Sequence, residues 1–287
     1  MKKYIIFTLL ISFLYGCEKK IDWEVKESIK KLVVDASLTN ELKKHSVFLS
    51  KTRGYDDIGS VEKIQNASIE LSDGTNTFTY NEDNNNPGHY YTENEISGEI
   101  GKIYTLNIEL EEEIGGYDNY SASSEMKPVF EIDSIIASHE EIIDSIFGFE
   151  EVYIVCEIKV TGTELESEGD RYLFKLRNNN VLLSDSLGDL PFLSDENINN
   201  FHFNEESLFW EDTAQIKVND TVTVEIHSIN DAYTDFLFYY SYEGDPLGLS
   251  GPPANVPTNI NNGGLGFFVV SGVSKKSAIV FDNLPKE

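Results

Sequence analysis

Cysteine is almost absent from this chain: Cys17 and Cys156 are the only two in 287 residues. Two thiols so far apart make no disulfide framework, so the core itself must hold the fold. Histidine is scarce too. The five imidazoles, at 45, 89, 139, 202 and 227, stand at least 25 residues apart with no HExxH or HxxxH pair, and offer no zinc-ligand spacing. Basic residues are outnumbered, 22 Lys and Arg against 50 Asp and Glu, which leaves a formal charge of −28. A field of that sign repels phosphate backbones and anionic headgroups and excludes nucleic acid as a partner. Apolar runs are short. Tyr4 to Tyr15, twelve residues broken by Thr8 and Ser12, cannot cross ~30 Å of hydrocarbon.

Motifs of catalysis are missing as well. Gly248-Leu249-Ser250-Gly251 falls one residue short of a G-x-S-x-G elbow and sits in a proline-rich stretch, and no glycine-rich phosphate cradle occurs. The expectation is a non-enzymatic protein with no cofactor, no metal and no catalytic residue. A glycan hydrolase built on a carboxylate pair is the third-ranked reading, because such a geometry leaves no trace in spacing.

The first seventeen residues carry the most information. Lys2 and Lys3 form a positive n-region, Tyr4 to Tyr15 an apolar h-region, and Leu14-Tyr15-Gly16-Cys17 a lipobox. Residues 1–16 therefore read as a cleaved lipoprotein signal, and Cys17 as the acylated first residue of the mature chain. Cleavage strips two lysines and takes the charge to about −30. Attachment must then come from the acyl chains, since two or three of them hold firmly where one is marginal. Residues 17–30 are charged, lack a clean period and read as a tether. Glu18 followed by Lys19 and Lys20 is a mixed sorting signal that favours surface display over a periplasmic position.

From residue 31 onward a period of two recurs. Ala67, Ile69 and Leu71 alternate with polar neighbours, as do Tyr104, Leu106, Ile108 and Leu110, then Tyr172, Phe174 and Leu176, then Val222, Val224 and Ile226. Turn clusters such as Ser72-Asp73-Gly74 and Asn84-Asn85-Asn86-Pro87-Gly88 separate them. This pattern predicts an all-β protein of two antiparallel, immunoglobulin-like β-sandwich modules. Met126-Lys127-Pro128 marks the boundary, with an N-terminal sandwich over 31–127 and a C-terminal one over 128–287. Cys156 shares a strand face with Val152, Ile154, Ile158 and Val160 and reads as a small buried hydrophobe. His227 points away from Val222, Val224 and Ile226, towards solvent. Asn81, Asp83 and Asn85 mimic half a calcium loop, but Pro87 intervenes and a hairpin turn explains them better.

Two stretches break the pattern. Ile229, Ala232, Tyr233, Phe236, Leu237 and Tyr240 recur at helical spacing and predict one amphipathic helix over about 229–242, with Ser228 and Asp231 as a capping pair and the aromatics in the core. Residues 244–266 hold four of the eight prolines and six of the twenty glycines, with Asp245 their only charge. So long a loop packs either on its own module or on a partner. On the second alternative, Leu247, Leu249, Val256 and Ile260 are the candidate contact residues. Five Asp-Ser/Thr-x triplets, at 133, 144, 185, 212 and 220, resemble an O-glycosylation sequon of exported proteins.

A series of segments runs through the chain: KLVVDASLTN at 31–40, VFLSKTRGY at 47–55, NASIELSDG at 66–74, GHY at 88–90, GKIYTL at 101–106, VEIHSINDAY at 224–233 and PTNINNGGLGFF at 257–268. In this order they resemble the envelope lipoproteins grouped as domain of unknown function 4249. Members of that group are often encoded beside TonB-dependent receptors, so the resemblance implies an accessory lipoprotein near such a β-barrel transporter, and it carries over no catalytic residue. Taken together, the expectation is an outer-membrane lipoprotein, anchored to the membrane at Cys17, that assists nutrient uptake. The alternative is an adhesive or structural surface lipoprotein that touches glycans or matrix.

Overall fold

A computed structural model of the chain describes residues 29–54, 57, 59–146, 149–183, 187, 190–243 and 255–285. The signal 1–16, Cys17, nearly all of the tether, Leu247 and Leu249 lie outside the described residues. Among those described, the chain is mostly β with one α-helix, in agreement with the alternating pattern. No described helix is long and apolar enough to cross a membrane.

The N-terminal strands are β1 (Leu32–Thr39), β2 (Ser46–Lys51), β3 (Ser68–Ser72), β4 (Thr77–Glu82), β5 (His89–Thr92), β6 (Ile103–Ile114) and β7 (Tyr117–Glu125). They join a strand from far along the chain, β15 (Leu265–Ser271), in one eight-stranded sheet ordered β15-β1-β2-β5-β4-β3-β6-β7. Each strand turns one face to a single core, including Leu32, Val34 and Leu38 of β1, Leu106 and Ile108 of β6, and Phe268 of β15. One face can share one core only if the sheet rolls on itself, and it does so almost to closure. The N-terminal half is thus a rolled sheet with its last strand borrowed from the second half.

Asparagine side chains close the seam between the outer strands. Asn261 Oδ1 accepts from the Ser121 amide (2.6 Å), the Asn261 amide donates to Ser121 O (3.0 Å), and Asn262 Nδ2 donates to Asn119 O (2.8 Å). Asn259 behaves as an extra strand residue beside β15, since its Nδ2 donates to Phe268 O and its Oδ1 accepts from the Phe268 amide (2.8 and 2.9 Å). Ile260 plugs the end of the core and is 5 % exposed. Gly266 adopts φ +85°, and a Cβ there would stand 2.0 Å from the Val34 carbonyl oxygen of β1. Only glycine allows the two backbones to lie this close.

The other strands are β8 (Ile132–Ile146), β9 (Phe149–Thr163), β10 (Arg171–Asn178), β11 (Val181–Leu182), β12 (Phe192–Ser194), β13 (His202–Asp212), β14 (Thr221–Ile229), β16 (Val273–Ile279) and β17 (Phe281–Asp282). They form two sheets, β11-β10-β14-β16 with β12 on β10, and β13-β9-β8-β17. Cys156, Ile158 and Val160 of one face Tyr172, Phe174, Val222 and Val224 of the other across a common core. Burial pushes the Cys156 thiol up to about 11, which leaves it protonated and unreactive.

The boundary after Met126 coincides with the end of β7, but the modules on either side of it are not independent. The chain crosses three times: after Lys127, between α1 (Asp231–Glu243) and β15, and at Gly272, the single residue between β15 and β16. Ser228 laces two crossings together, donating to Lys127 O (2.7 Å) and accepting from the Gly272 amide (2.8 Å). That engagement removes Ser228 from the capping role expected of it. Asn230 caps the helix instead, with Oδ1 accepting from the Tyr233 amide (2.8 Å), while its Nδ2 reaches Ser124 Oγ of β7 (3.1 Å). Tyr233, Phe236 and Leu237 pack against Phe267 of β15 and against Leu173 and Ile229 on the outer face of the C-terminal sheet. Burying each is worth about 1.5–3 kcal/mol. Tyr240, expected in the core with the other aromatics, is exposed, though it stacks on Phe236 at 5.8 Å.

His227 lies on the expected strand face, yet it is buried, because the rolled sheet covers the face that would otherwise meet solvent. Its Nε2 lies 3.2 Å from Glu225 Oε2, and Arg177 Nε donates to Glu225 Oε1 (2.6 Å). Burial lowers the His227 pKa against the upward pull of Glu225, and burial also lowers that of His45. For Glu225 burial works upward, but the bonds from His227 and Arg177 prevail and hold it at about 2.

Two outcomes follow from this architecture. Gly266→Ala should lower stability in urea unfolding by at least about 2 kcal/mol. Gly263→Ala, at φ +76° with open space around it, should cost only the ~1 kcal/mol of a left-handed backbone, and equal losses would refute the close approach at the seam. The two histidines set a pH dependence. Their folded-state values are depressed, so their contribution is complete above about 6.5 and is lost as the unfolded chain takes up protons below it. The Glu225 contribution persists to lower pH and is lost between about 4.5 and about 2. Urea midpoints should fall between pH 7.5 and 5.5, and His227→Gln should flatten that slope; an unchanged slope would exclude His227 as a source.

Candidate functional site

Between the two sheets of the C-terminal module lies an open cleft of about 300 Å³. Its floor comes from Phe130, Val160 of β9, Phe174 of β10 and Ile226 of β14, the same alternation that builds the core. The outer wall is β13, and the rim is Leu193, Ile198 and Phe201. Aromatic rings join floor to wall. Phe130 stacks on Phe203 at 5.6 Å, and Phe201 meets Phe203 edge-on at 5.0 Å. Glu206 and Ser207 are the two polar residues of an otherwise apolar lining, and the Ser207 hydroxyl is taken up by Glu157.

The wall owes its shape to irregular pairing. β13 follows β9 with register shifts between Phe203 and Glu206 and between Ser207 and Phe209, each an extra residue that bends the strand. Glu205 sits at φ +56°, rare for a residue other than Gly or Asn, and its amide donates to Thr161 Oγ1 (3.2 Å). The first bulge pairs Glu206 with Val160 and leaves it exposed to solvent at the mouth of the cleft. On the outer face Ser207 Oγ donates to Glu157, which also pairs with Lys159 at 3.0 Å.

An acidic cluster holds the rim. Ligand oxygens of Glu164, Asp170 and Asp195 lie within 4.8 Å of one another, and Glu164 and Asp195 are buried. Their oxygens already have partners. Glu164 accepts from Tyr172 Oη (2.7 Å) and from the Asn200 amide (2.7 Å), Asp195 accepts from the Gly169 amide (2.9 Å), and Ser167 Oγ donates to Asp170. This set could hold a divalent cation of the calcium type, and the bonds it makes pin the turn that carries Ile198 and Phe201. Burial first, and the bond to Glu164 second, push the Tyr172 phenol well above its ordinary value, which keeps it a donor.

The sequence-derived candidates fall elsewhere. Val256 packs partly buried against the helix cluster, and Ile260 belongs to the rolled-sheet core. Residues 259–264 pack on their own molecule and close the seam. Sequence reading missed the cleft, since the bulges erase the period-two signal over His202–Asp212 and the rim comes from a three-residue strand, β12, and the irregular stretch that holds Ile198 and Phe201.

Residues 18–277 match the family model described as Domain of unknown function (DUF4249). No curated protein matches the chain. Among solved structures, a DUF4785 family protein from Legionella pneumophila aligns over 71% of this chain and 54% of its own, at 13% identity and a TM-score of 0.24. The chain thus spans about half of that protein's length, and an overlap this poor carries no argument about fold or function.

Glu164→Ala should leave the buried Tyr172 hydroxyl without its acceptor and the Asn200 amide with Leu165 O alone, and cost about 2 kcal/mol. Hydrogen exchange at the residue-200 amide should accelerate along with it. Unchanged exchange there would mean that the rim turn is held by other bonds.

Proposed function

The chain belongs to the DUF4249 family, and from that premise we propose that it is a lipid-anchored outer-membrane protein that acts by binding, as the accessory partner of a TonB-dependent transporter in nutrient uptake. The observation that carries this reading is the cleft of the C-terminal module. At about 300 Å³, with apolar and aromatic walls and Glu206 at its mouth, it has the kind of lining that small-molecule sites have. In the finer fold reading, the facing sheets of this half form an immunoglobulin-like sandwich and the rolled sheet is a second, distorted sandwich.

Acyl chains on Cys17 supply the attachment in this reading, because a chain of charge −28 is repelled by an anionic surface rather than drawn to it. The same repulsion holds the folded modules off the bilayer, at the surface of the cell, where a transporter's outer face can be reached.

Cys17→Ala should abolish incorporation of labelled palmitate and release the protein from the outer-membrane fraction. Copurification of the detergent-solubilised protein should recover a β-barrel receptor. A Cys17→Ala chain that stays with the membrane would overturn the anchor, and repeated recovery of no receptor would overturn the transporter role. Lost cell attachment with uptake unchanged, on deletion, would assign the adhesive role instead.

A further inference from the structure

One row of side chains crosses four strands on the outer face of the rolled sheet: Phe267 of β15, Asp35 of β1, Phe48 of β2 and His89 of β5, each in register with the next. Phe48 and His89 stack at 4.4 Å, and Phe267 packs against Tyr233 of the helix and Leu173 of β10. Lys175 follows Leu173 on the same strand face, so Asp35 and Lys175 approach the contact between the modules from opposite sides. Lys175 is the charge that acts most strongly on Asp35, ahead of His89. Other charges along this contact are matched. Glu41 holds Lys43 and Lys275, and Glu225, although in register with Lys175, is taken by Arg177 and His227. The phenylalanines flanking Asp35 offer it no donor. Among the described residues, neither the Asp35 carboxylate nor the Lys175 ammonium has a hydrogen bond or an ion pair. Water is partly withdrawn from both. Asp35 keeps contact with solvent, yet burial raises its pKa, and the half-buried Lys175 is the described lysine whose pKa burial lowers. Glu211, the other described carboxylate that burial raises, has no ammonium group acting on it. Opposite charges drawn out of water but held apart cost stability until something joins them.

We infer that the recess between the two modules binds a small zwitterion, an α-amino acid with an aromatic or apolar side chain, its ammonium on Asp35, its carboxylate on Lys175 and its side chain against the Phe48–His89 stack. A ligand of one charge would leave one of the two groups unmatched, whereas a dipolar ligand satisfies both with charge-assisted bonds. Small molecules bind preferentially at such contacts between modules. Lys175 and the cleft residues Phe174 and Ile226 lie on opposite faces of the β10–β14 sheet, so this site is separate from the cleft and does not rest on the role proposed for it.

Isothermal titration of the full chain with L-phenylalanine, 2-phenylethylamine and 3-phenylpropionate tests it, the three sharing one ring and differing in charge. Phenylalanine should bind about tenfold or more tightly than either singly charged probe. Asp35→Asn, which keeps the side-chain shape, should bring phenylalanine down to the level of phenylpropionate, and Lys175→Gln should bring it down to that of phenylethylamine. Phe201→Ala, at the rim of the separate cleft, should change none of these. Failure of all three probes to bind, or a phenylalanine affinity no better than that of the singly charged probes, would overturn the inference and leave the transporter role standing. Binding that survives Asp35→Asn and Lys175→Gln but is lost in Phe201→Ala would place the ligand in the cleft instead. Urea unfolding of the two charge variants and their double mutant supplies the other check. Strong coupling between them with no probe bound would assign the pair to holding the modules together, against the inference.

Discussion

The close approach of β15 to β1, with Gly266 against the Val34 carbonyl and the Asn261 side chain bonded to Ser121, is the constraint on which the molecule depends. It places a strand from the end of the chain inside the N-terminal sheet. The outer face of that strand then carries Phe267 to the helix, and Gly272 passes the chain straight into β16 and the C-terminal sheet. Fold, helix and interface therefore form one cooperative unit. The two halves share three crossings and an interface containing His227, so neither half has a complete surface without the other.

The seam also explains why PTNINNGGLGFF is the most distinctive segment of the chain. Each position does one physical task. Asn259 and Asn261 stand in for missing strand partners, Asn262 takes a left-handed backbone at φ +55°, and Ile260 fills the core. Gly264 has no room for a side chain beside Ile260, Gly266 allows the backbone approach, and the two phenylalanines face opposite sides of the sheet. Few other residues satisfy these demands together, which is why composition alone does not produce the segment.

The C-terminal module places its irregularity at the opposite end. The bulges of β13, the αL backbone of Glu205 and the buried carboxylates under the 195–201 turn all converge on one cleft. Strain and buried charge concentrate where regular pairing would have closed the sheets on each other. Single register shifts also occur in the β6–β7 and β8–β9 pairs, and the exposed acids along β6 remain a solvated surface.

The strand alternation, the helix and the buried state of Cys156 were legible from the sequence, because each depends on neighbours two to four residues away. Long-range pairing decided the rest. It moved β15 out of the C-terminal half, took Ser228 from the helix cap to the crossing at Gly272, covered His227, and committed Ile260 to the core. It also bent β13 through bulges that scramble the local period. The sequence by itself determined which face of each strand is apolar; only the tertiary structure decided what that face meets, because contact between residues more than two hundred positions apart is set by packing and closure, on which local periodicity carries no information.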